Sequence, residues 1–372
     1  MFLEYGLNHQ DRLVYVGDVS SGRTTLKCPY CREGLIARKG QQLAPHYAHS
    51  GPTCRPVGRP DDVARLPAYD RFNLSLQPKL LKALRDFADH FQWEPRLEER
   101  GLIKKKYGRY GYELTKLGKI PLGQLSLSLF AEEQQKMIEG KHSELERQAF
   151  AMPEDKTAET DLKLYRSQWK RVLFLTLYFL EVKHDTGILH KIGVTSRGID
   201  ERIREIKNDL SAIGLRNISI AILGTWAHRG NIEPYFKHRY GSYQDRTLQT
   251  LTEYFQFPPD ALKKVLRDLR RMKAKEMSNQ ELGILSDQPP FFCLGIPFSP
   301  LLHSWEYRAL TNVVIHSHQS KFDTNILDEI SRRDNKMLQW FSGGYLLSEY
   351  GQRYLQAFGW FYQQLYEIPN HQ

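Results

Sequence analysis

Three cysteines and two histidines fall between Cys28 and Cys54, and no other feature limits so sharply what this chain can fold into. Cys28-Pro-Tyr-Cys31 is a C-x-x-C knuckle, whose intervening turn aims both thiolates at one point. His46-Tyr-Ala-His49 and then Cys54 follow. In a reducing compartment such clustering favours a metal over disulfides. Cys28 and Cys31 are the firm ligands, and two of His46, His49 and Cys54 complete a tetrahedral zinc site. The leading set is Cys28, Cys31, His49 and Cys54, with His46 as the alternative. A closed site leaves no position for water, so the expected role is structural, supplying folding energy that so short a segment lacks. The remaining cysteine, Cys293, sits in the apolar run Phe291-Phe292-Cys293-Leu294 and reads as a core thiol.

At 372 residues the chain is too long for one ordinary core. Composition divides it into a zinc module at 1–58, an accessory or linker domain at 61–165, a compact mixed segment at 170–258, and a helical, aromatic-rich region at 259–372. The expected class is therefore a multidomain α+β protein. Hydrophobic content of 41% with 12% aromatics excludes bulk disorder. The opening residues carry no secretory pattern, and the apolar run Val172 to Leu180 ends at Glu181, far too short to span a bilayer. A cytoplasmic protein with no membrane partner is expected. The formal charge of +10 and pI near 9.2 favour an anionic partner, nucleic acid before membrane. Clusters such as Lys104-Lys105-Lys106 with Tyr107, Arg109 and Tyr110, or Arg267 to Lys275, concentrate that charge.

Local patterns set the expected elements. Pro78 opens a helix with Leu80, Leu84, Phe87, Ala88 and Phe91 on one face. Leu125, Leu127 and Leu129 alternate with serines as a strand would. Residues 131–150 are helix-prone, and 151–161 have linker composition. A strand over Val172 to Val182, a turn at His184-Asp185-Thr186-Gly187 and a returning strand over Ile188 to Val194 make a hairpin. Asp200 then caps a helix ending near Gly214, Ile218 to Trp226 is a third strand, and Gly230 to Tyr240 a second helix. Tyr254 to Phe257 is a short extended piece, and Pro258-Pro259-Asp260 starts a basic helix. The order of the 170–258 segment is thus β-β-α-β-α. Helical packing is expected beyond 280, although Gly344 to Gly351, like Tyr112 to Gly118, resembles the wing region of winged-helix domains.

Phosphodiester hydrolysis needs a cation on the developing charge, a base for the water and help for the leaving oxygen. The 170–258 segment offers each. Hairpin pairing can bring Tyr178 and Lys191 to one face, Arg202 lies on the first turns of the following helix, and Glu233 is an early carboxylate of the second helix, suited to a metal. His190 should point to the opposite face from Lys191, and His228 should lie in a loop.

These residues also carry a family resemblance. Tyr178-Phe-Leu-Glu-Val, Lys191-Ile-Gly193-Val-Thr195-Ser-Arg197, Glu201-Arg202-Ile203, Glu233 with His238 and Tyr240, and Glu253-Tyr254-Phe255 resemble the GIY-YIG nuclease superfamily, in its T5orf172-type branch. The resemblance implies that Tyr178 and Lys191 take the places of the two motif tyrosines, one of them assisting deprotonation of water. It implies that Arg202 stabilises phosphate charge with its fork of donors and that Glu233 holds a single Mg or Mn ion. Arg197, His238 and Glu253 become substrate-contact candidates, and Gly193 lets the backbone pass close to the helix. Leu177 stands where the first motif has its glycine, and Lys191 stands in place of a phenol, so base duty moves to Tyr178 or to a lysine whose pKa Arg202 and a metal depress. The leading strand, C-P-x-C, Arg38-Lys39-Gly40 and His46-Tyr-Ala-His49 resemble the N-terminal zinc-finger-like region of the competence protein CoiA family over residues 1–55. Taken together these imply an endonuclease, DNA favoured over RNA. A non-catalytic nucleic-acid-binding protein on a degenerate GIY-YIG core is the alternative, and a zinc hydrolase would need an open position at the Cys/His cluster.

Overall fold

Short alternating runs separated by turn residues build an antiparallel sheet from the first fifty residues. The computed structural model describes residues 3–40, 43–58, 65–108, 110–151, 156–245, 247, 253–287, 309–310, 313, 321–333, 338–341, 344–348 and 351. The chain forms two compact units, each discontinuous in sequence: Met1–Ala64, His142–Leu164 and Leu282–Gln372 in one, Arg65–Lys141 and Tyr165–Glu281 in the other. Cys293 lies outside the described residues.

In the first unit, β1 (Tyr5–Leu7), β2 (Leu13–Tyr15), β3 (Gly22–Lys27), β4 (Gly34–Arg38) and β5 (His46–His49) lie in the order β2-β1-β3-β4-β5. Leu3, just before β1, bridges to Tyr47 of β5. Its inward side chains, Leu3, Tyr5, Val16, Leu26, Leu35, Ala37 and Tyr47, form the core with Cys28. A single helical turn, α1 (Arg55–Gly58), follows Cys54.

The second unit begins with α2 (Pro78–His90), α3 (Pro95–Glu99), a hairpin of β6 (Ile103–Lys105) and β7 (Tyr112–Leu114), and α4 (Lys116–Lys119). Pro78 occupies the first turn of α2, and Leu80, Leu84 and Phe87 are buried. Phe91 is not on that face: it lies beyond the helix end, in the left-handed region, and is exposed.

The strand expected at Leu125 to Leu129 is instead the start of α5 (Leu127–Ala151). Alternation over five residues also fits a helix start, and the deciding contacts are remote. The buried Asp268 accepts the Leu127 N–H at 3.0 Å, while the Tyr235 hydroxyl accepts the Leu125 N–H and donates to the Leu125 carbonyl. The linker expected at 151–161 is also largely helical, because α6 (Lys156–Leu173) begins within it, and α6 takes two residues from the start of the expected strand.

From there the expected order holds. A four-stranded antiparallel sheet, β10-β8-β9-β11, is built from β8 (Thr176–His184), β9 (Gly187–Thr195), β10 (Ser219–Trp226) and β11 (Tyr254–Phe255), with α7 (Ile199–Ala212), α8 (Ile232–Tyr240) and α9 (Pro259–Arg270). Because neighbours alternate along a strand, β8 divides its residues between two cores. Leu177 and Phe179 join Ile192, Phe236, Phe255, Val265 and Leu269 on one side; Tyr178, Leu180 and Val182 join Ile206, Leu210 and Tyr254 on the other. Asp200 does not cap α7. Gly198 precedes the helix and Asp200 lies in its first turn, where a carboxylate favours the helix dipole.

Beyond α10 (Asn279–Leu285), the described C-terminal residues include α11 (Lys321–Arg333) and a hairpin of β12 (Leu338–Phe341) and β13 (Gly344–Leu347), so this region is not purely helical. Among the described residues no helix is long and apolar enough to cross a membrane.

Candidate functional site

Hairpin register is what gathers the first two candidate residues. Pairing of β8 with β9 sets Tyr178 opposite Gly193 and Leu180 opposite Lys191, and Tyr254 of β11 lies opposite Lys191 on its other side. Directly opposed residues share a face, so Tyr178, Lys191 and Tyr254 point together. His190 points the other way, stacked on Phe179 with ring centroids 5.7 Å apart.

Gly193 has a different reason from the one expected. A Cβ there would come within 2.3 Å of the Tyr178 hydroxyl, so the missing side chain makes room for the tyrosine ring rather than for a helix. Thr195 ends β9 by turning the chain: its hydroxyl accepts the Arg197 N–H at 3.0 Å and donates to the Arg197 carbonyl. That turn delivers α7 and, on its first turns, Arg202.

Arg202 reaches back over the sheet. Its Nε donates to the Tyr178 hydroxyl at 3.4 Å and its Nη1 pairs with Glu205 at 2.7 Å. Burial pushes the Tyr178 phenol up to about 12 even though Arg202 pulls it down, so the phenol keeps its proton at neutral pH. Burial works against the Arg202 charge, but the bonds to Tyr178 and Glu205 outweigh it and hold the guanidinium charged.

Lys191 is only 3% exposed. Its ammonium pairs with Glu253 and sits 4.4 Å from the centroid of the Tyr254 ring. Burial lowers the Lys191 pKa against the pull of Glu253. The depression expected from Arg202 is present, but desolvation is the larger cause.

Glu233 lies in the first turn of α8 and its carboxylate is largely enclosed. Lys237, one helical turn on, pairs with Glu233 at 2.7 Å and reaches Glu253 at 3.4 Å, bridging the two carboxylates. Burial raises the Glu233 pKa, with Lys237 opposing. At Glu253 burial also pulls upward, but Lys191 and Lys237 overcome it and leave the carboxyl below its ordinary value. Lys237 is lifted above an ordinary lysine because the two carboxylates outweigh its burial.

The structure therefore gathers Tyr178 with Arg202, and Lys191 with Glu253, Lys237 and Glu233. Glu253 sits at the centre of the second group. Lys237 and Glu205 were not singled out from sequence, although each stands at helical spacing from an expected partner, Glu233 and Arg202 respectively. Arg197 is exposed and spends its guanidinium on Glu201 and Glu205. His238 does not join the group: its Nε2 donates to the Ile120 carbonyl at 3.1 Å and its ring stacks on Phe72. His228 lies in a turn and bonds the Leu173 carbonyl.

In the first unit, Cys28 directly follows β3, Cys31 closes the turn, His49 ends β5, and Cys54 precedes α1. The ligand atoms of Cys28, Cys31, His49 and Cys54 all lie within 4.8 Å of one another. Zinc with Zn–S near 2.3 Å sets two sulfurs of a tetrahedron about 3.8 Å apart; the Cys28 and Cys54 sulfurs are 3.9 Å apart. The donor set and its spacing fit a closed zinc site. His46 is outside it, its Nδ1 donating to the Ala44 carbonyl at 2.9 Å. Burial pushes the Cys28 thiol up to about 12, so a thiolate there calls for a compensating cation.

Comparison with known proteins bears on the second unit. Residues 176–270 match the T5orf172 domain family, a nuclease-associated domain that indicates a nuclease-like or nucleic-acid-binding role. No curated protein and no solved structure matches the chain.

Proposed function

We propose that this chain is a metal-dependent endonuclease whose 170–258 segment hydrolyses phosphodiester bonds in nucleic acid on a GIY-YIG-type core, DNA more than RNA. The observation that supports it best is the joining of a guanidinium, a buried lysine and an enclosed carboxylate around one hairpin and two helix starts, within a T5orf172 match. Arg202, fixed by Tyr178 and Glu205, binds the phosphate and takes up its developing charge. Tyr178 keeps its proton and orients Arg202. Lys191, with its pKa lowered by burial, would take the proton of the attacking water as the neutral amine, after Glu253 turns from it and its own ammonium proton has passed to solvent.

Glu233 and Glu253 fit a divalent ion. They are two carboxylates facing one cation position, filled here by the Lys237 ammonium. Mg or Mn is held by one or two carboxylates plus waters and phosphate, so Glu233 would be the principal ligand. Bound there, the ion would supply Lewis-acid stabilisation of the phosphate. The N-terminal module, on its CoiA-like motif, would be a zinc-stapled accessory. On this reading 1–58, 61–165, 170–258 and 259–372 are functional divisions; 1–58 and 170–258 each fall in one compact unit, while 61–165 and 259–372 take residues from both.

One observation favours the second reading, a non-catalytic nucleic-acid-binding protein: Lys191 and Lys237 pair with Glu233 and Glu253, so the four charges compensate one another. The test is Mg- or Mn-dependent cleavage of plasmid and single-stranded DNA and of RNA. Cleavage should fall by about a hundredfold or more in both Glu233→Ala and Arg202→Ala while nucleic-acid binding persists. Wild-type protein that binds but cuts none of these substrates decides for the second reading.

A further inference from the structure

Large aromatic rings bury themselves where they can, so several standing in solvent together call for a partner. In the second unit Phe91 is 69% exposed, Trp93 is 52% exposed, and Tyr107 and Tyr110 stand wholly in solvent. The fold brings these residues to one place. Trp93 lies 5.9 Å from Tyr112 of β7, and the Lys106 ammonium lies 5.9 Å from the Phe91 ring. Lys105 pairs with Tyr112 across β6–β7, so Tyr107 and Tyr110 fall in the connecting turn, beside Gly108 and Gly111, both with positive φ. Phe91 itself adopts φ 57°, a conformation that helix ends ordinarily give to glycine.

The charges nearby are unevenly matched. Lys104 pairs with Glu113 and Arg96 with Glu94. Among the described residues no carboxylate pairs with Lys105 or Lys106. Cations interleaved with open rings meet both halves of a single strand, since phosphates take the ammoniums and unpaired bases stack on the rings. A duplex offers the phosphates but keeps its bases stacked on one another. The T5orf172 match lies in the same compact unit, which favours nucleic acid over an anionic membrane surface.

We propose that Phe91, Trp93, Lys105, Lys106, Tyr107 and Tyr110 form a stacking surface for single-stranded nucleic acid, separate from the residues proposed to cut. It is tested on the full chain without divalent metal, by fluorescence anisotropy with a labelled oligo-dT of about 15 nucleotides, a length that spans several stacked bases. The double variant Tyr107→Ala, Tyr110→Ala weakens that binding by about tenfold or more, the loss expected when base stacking is removed. Tyr107→Phe with Tyr110→Phe keeps it, and neither pair alters binding to a duplex of the same length. All four rings being exposed, the variants should melt like wild type. Unchanged oligo-dT affinity in the alanine pair, an equal loss on duplex, or binding to phosphatidylserine vesicles but not to oligo-dT each overturns the assignment. Because no metal is present, failure here is independent of the cleavage result.

Discussion

The Cys28–Cys54 cluster and the Lys191–Glu253 cluster both gather ionisable groups into restricted space, but they balance charge in opposite ways. The first contains donors alone: three sulfurs and an imidazole drawn within 4.8 Å, with no cationic side chain among them. Thiolates there would need an ion from outside. The second alternates ammonium and carboxylate, so each charge already has a partner. A site of the first kind depends on metal to exist, whereas one of the second kind is assembled beforehand and can do chemistry only by exchanging partners. On the proposed function, metal would thus belong to folding in one place and to turnover in the other.

The comparison breaks most visibly if the first cluster can do without its ion. Structural zinc in small domains carries roughly 10–16 kcal/mol of apparent binding energy, so Cys28→Ser or Cys31→Ser should abolish stoichiometric zinc and unfold the N-terminal sheet. His46→Asn should retain the metal. Elemental analysis and circular dichroism on full-length protein report both, and a folded sheet in metal-stripped wild type would contradict the assignment.

A smaller effect sharpens the second cluster. Burial raises the Glu233 pKa and the Lys237 ammonium opposes it. Glu233 is ionised only above its pKa, so the acid limb of cleavage should lie above that of an ordinary glutamate. Lys237→Met removes the opposing charge, and the limb should move to still higher pH, with rate lost by about tenfold per pH unit below it. A limb that stays put in the variant would show that Glu233 is not the titrating group.

The smallest effect is on packing. Gly193→Ala places a methyl into the Tyr178 ring, and overpacking of this kind costs about 1–3 kcal/mol, a fall of several degrees in melting temperature. An unchanged melt would mean that the ring has room to move.

The two clusters were also legible to different degrees. Thiol and imidazole spacing pointed to Cys28, Cys31, His49 and Cys54, and only the choice against His46 needed the structure, because the Ala44 carbonyl that holds His46 leaves no mark on the motif. The shared face of Tyr178 and Lys191 was readable from strand period, since a tight turn fixes which side chains point together, whereas Arg202 and Glu233 were singled out by their joint spacing and the family resemblance. Lys237 was readable in principle, one turn from Glu233, but a lysine after a glutamate on a helix ordinarily signifies a solvated pair. What sequence could not show was any choice made by distant groups. Asp268, 141 residues from Leu127, turns an alternating leucine run into a helix start. Desolvation of Lys191 depends on Tyr254 and Glu253, brought beside it by a strand far along the chain. Phe91, at helical spacing from Phe87, looked like core until the helix ended one residue sooner.

On the proposed function, Arg202 carries a consequence for rate. A free arginine side chain has about 2 kcal/mol of rotamer entropy to lose when it grips a ligand. Here Tyr178 on one edge and Glu205 on another restrict the guanidinium before any phosphate arrives. That ordering is completed during folding and is not repeated in each encounter. The phenol in this core is thus an anchor for its neighbour, and its contribution would be felt through the immobility of a cation rather than through the movement of its own proton.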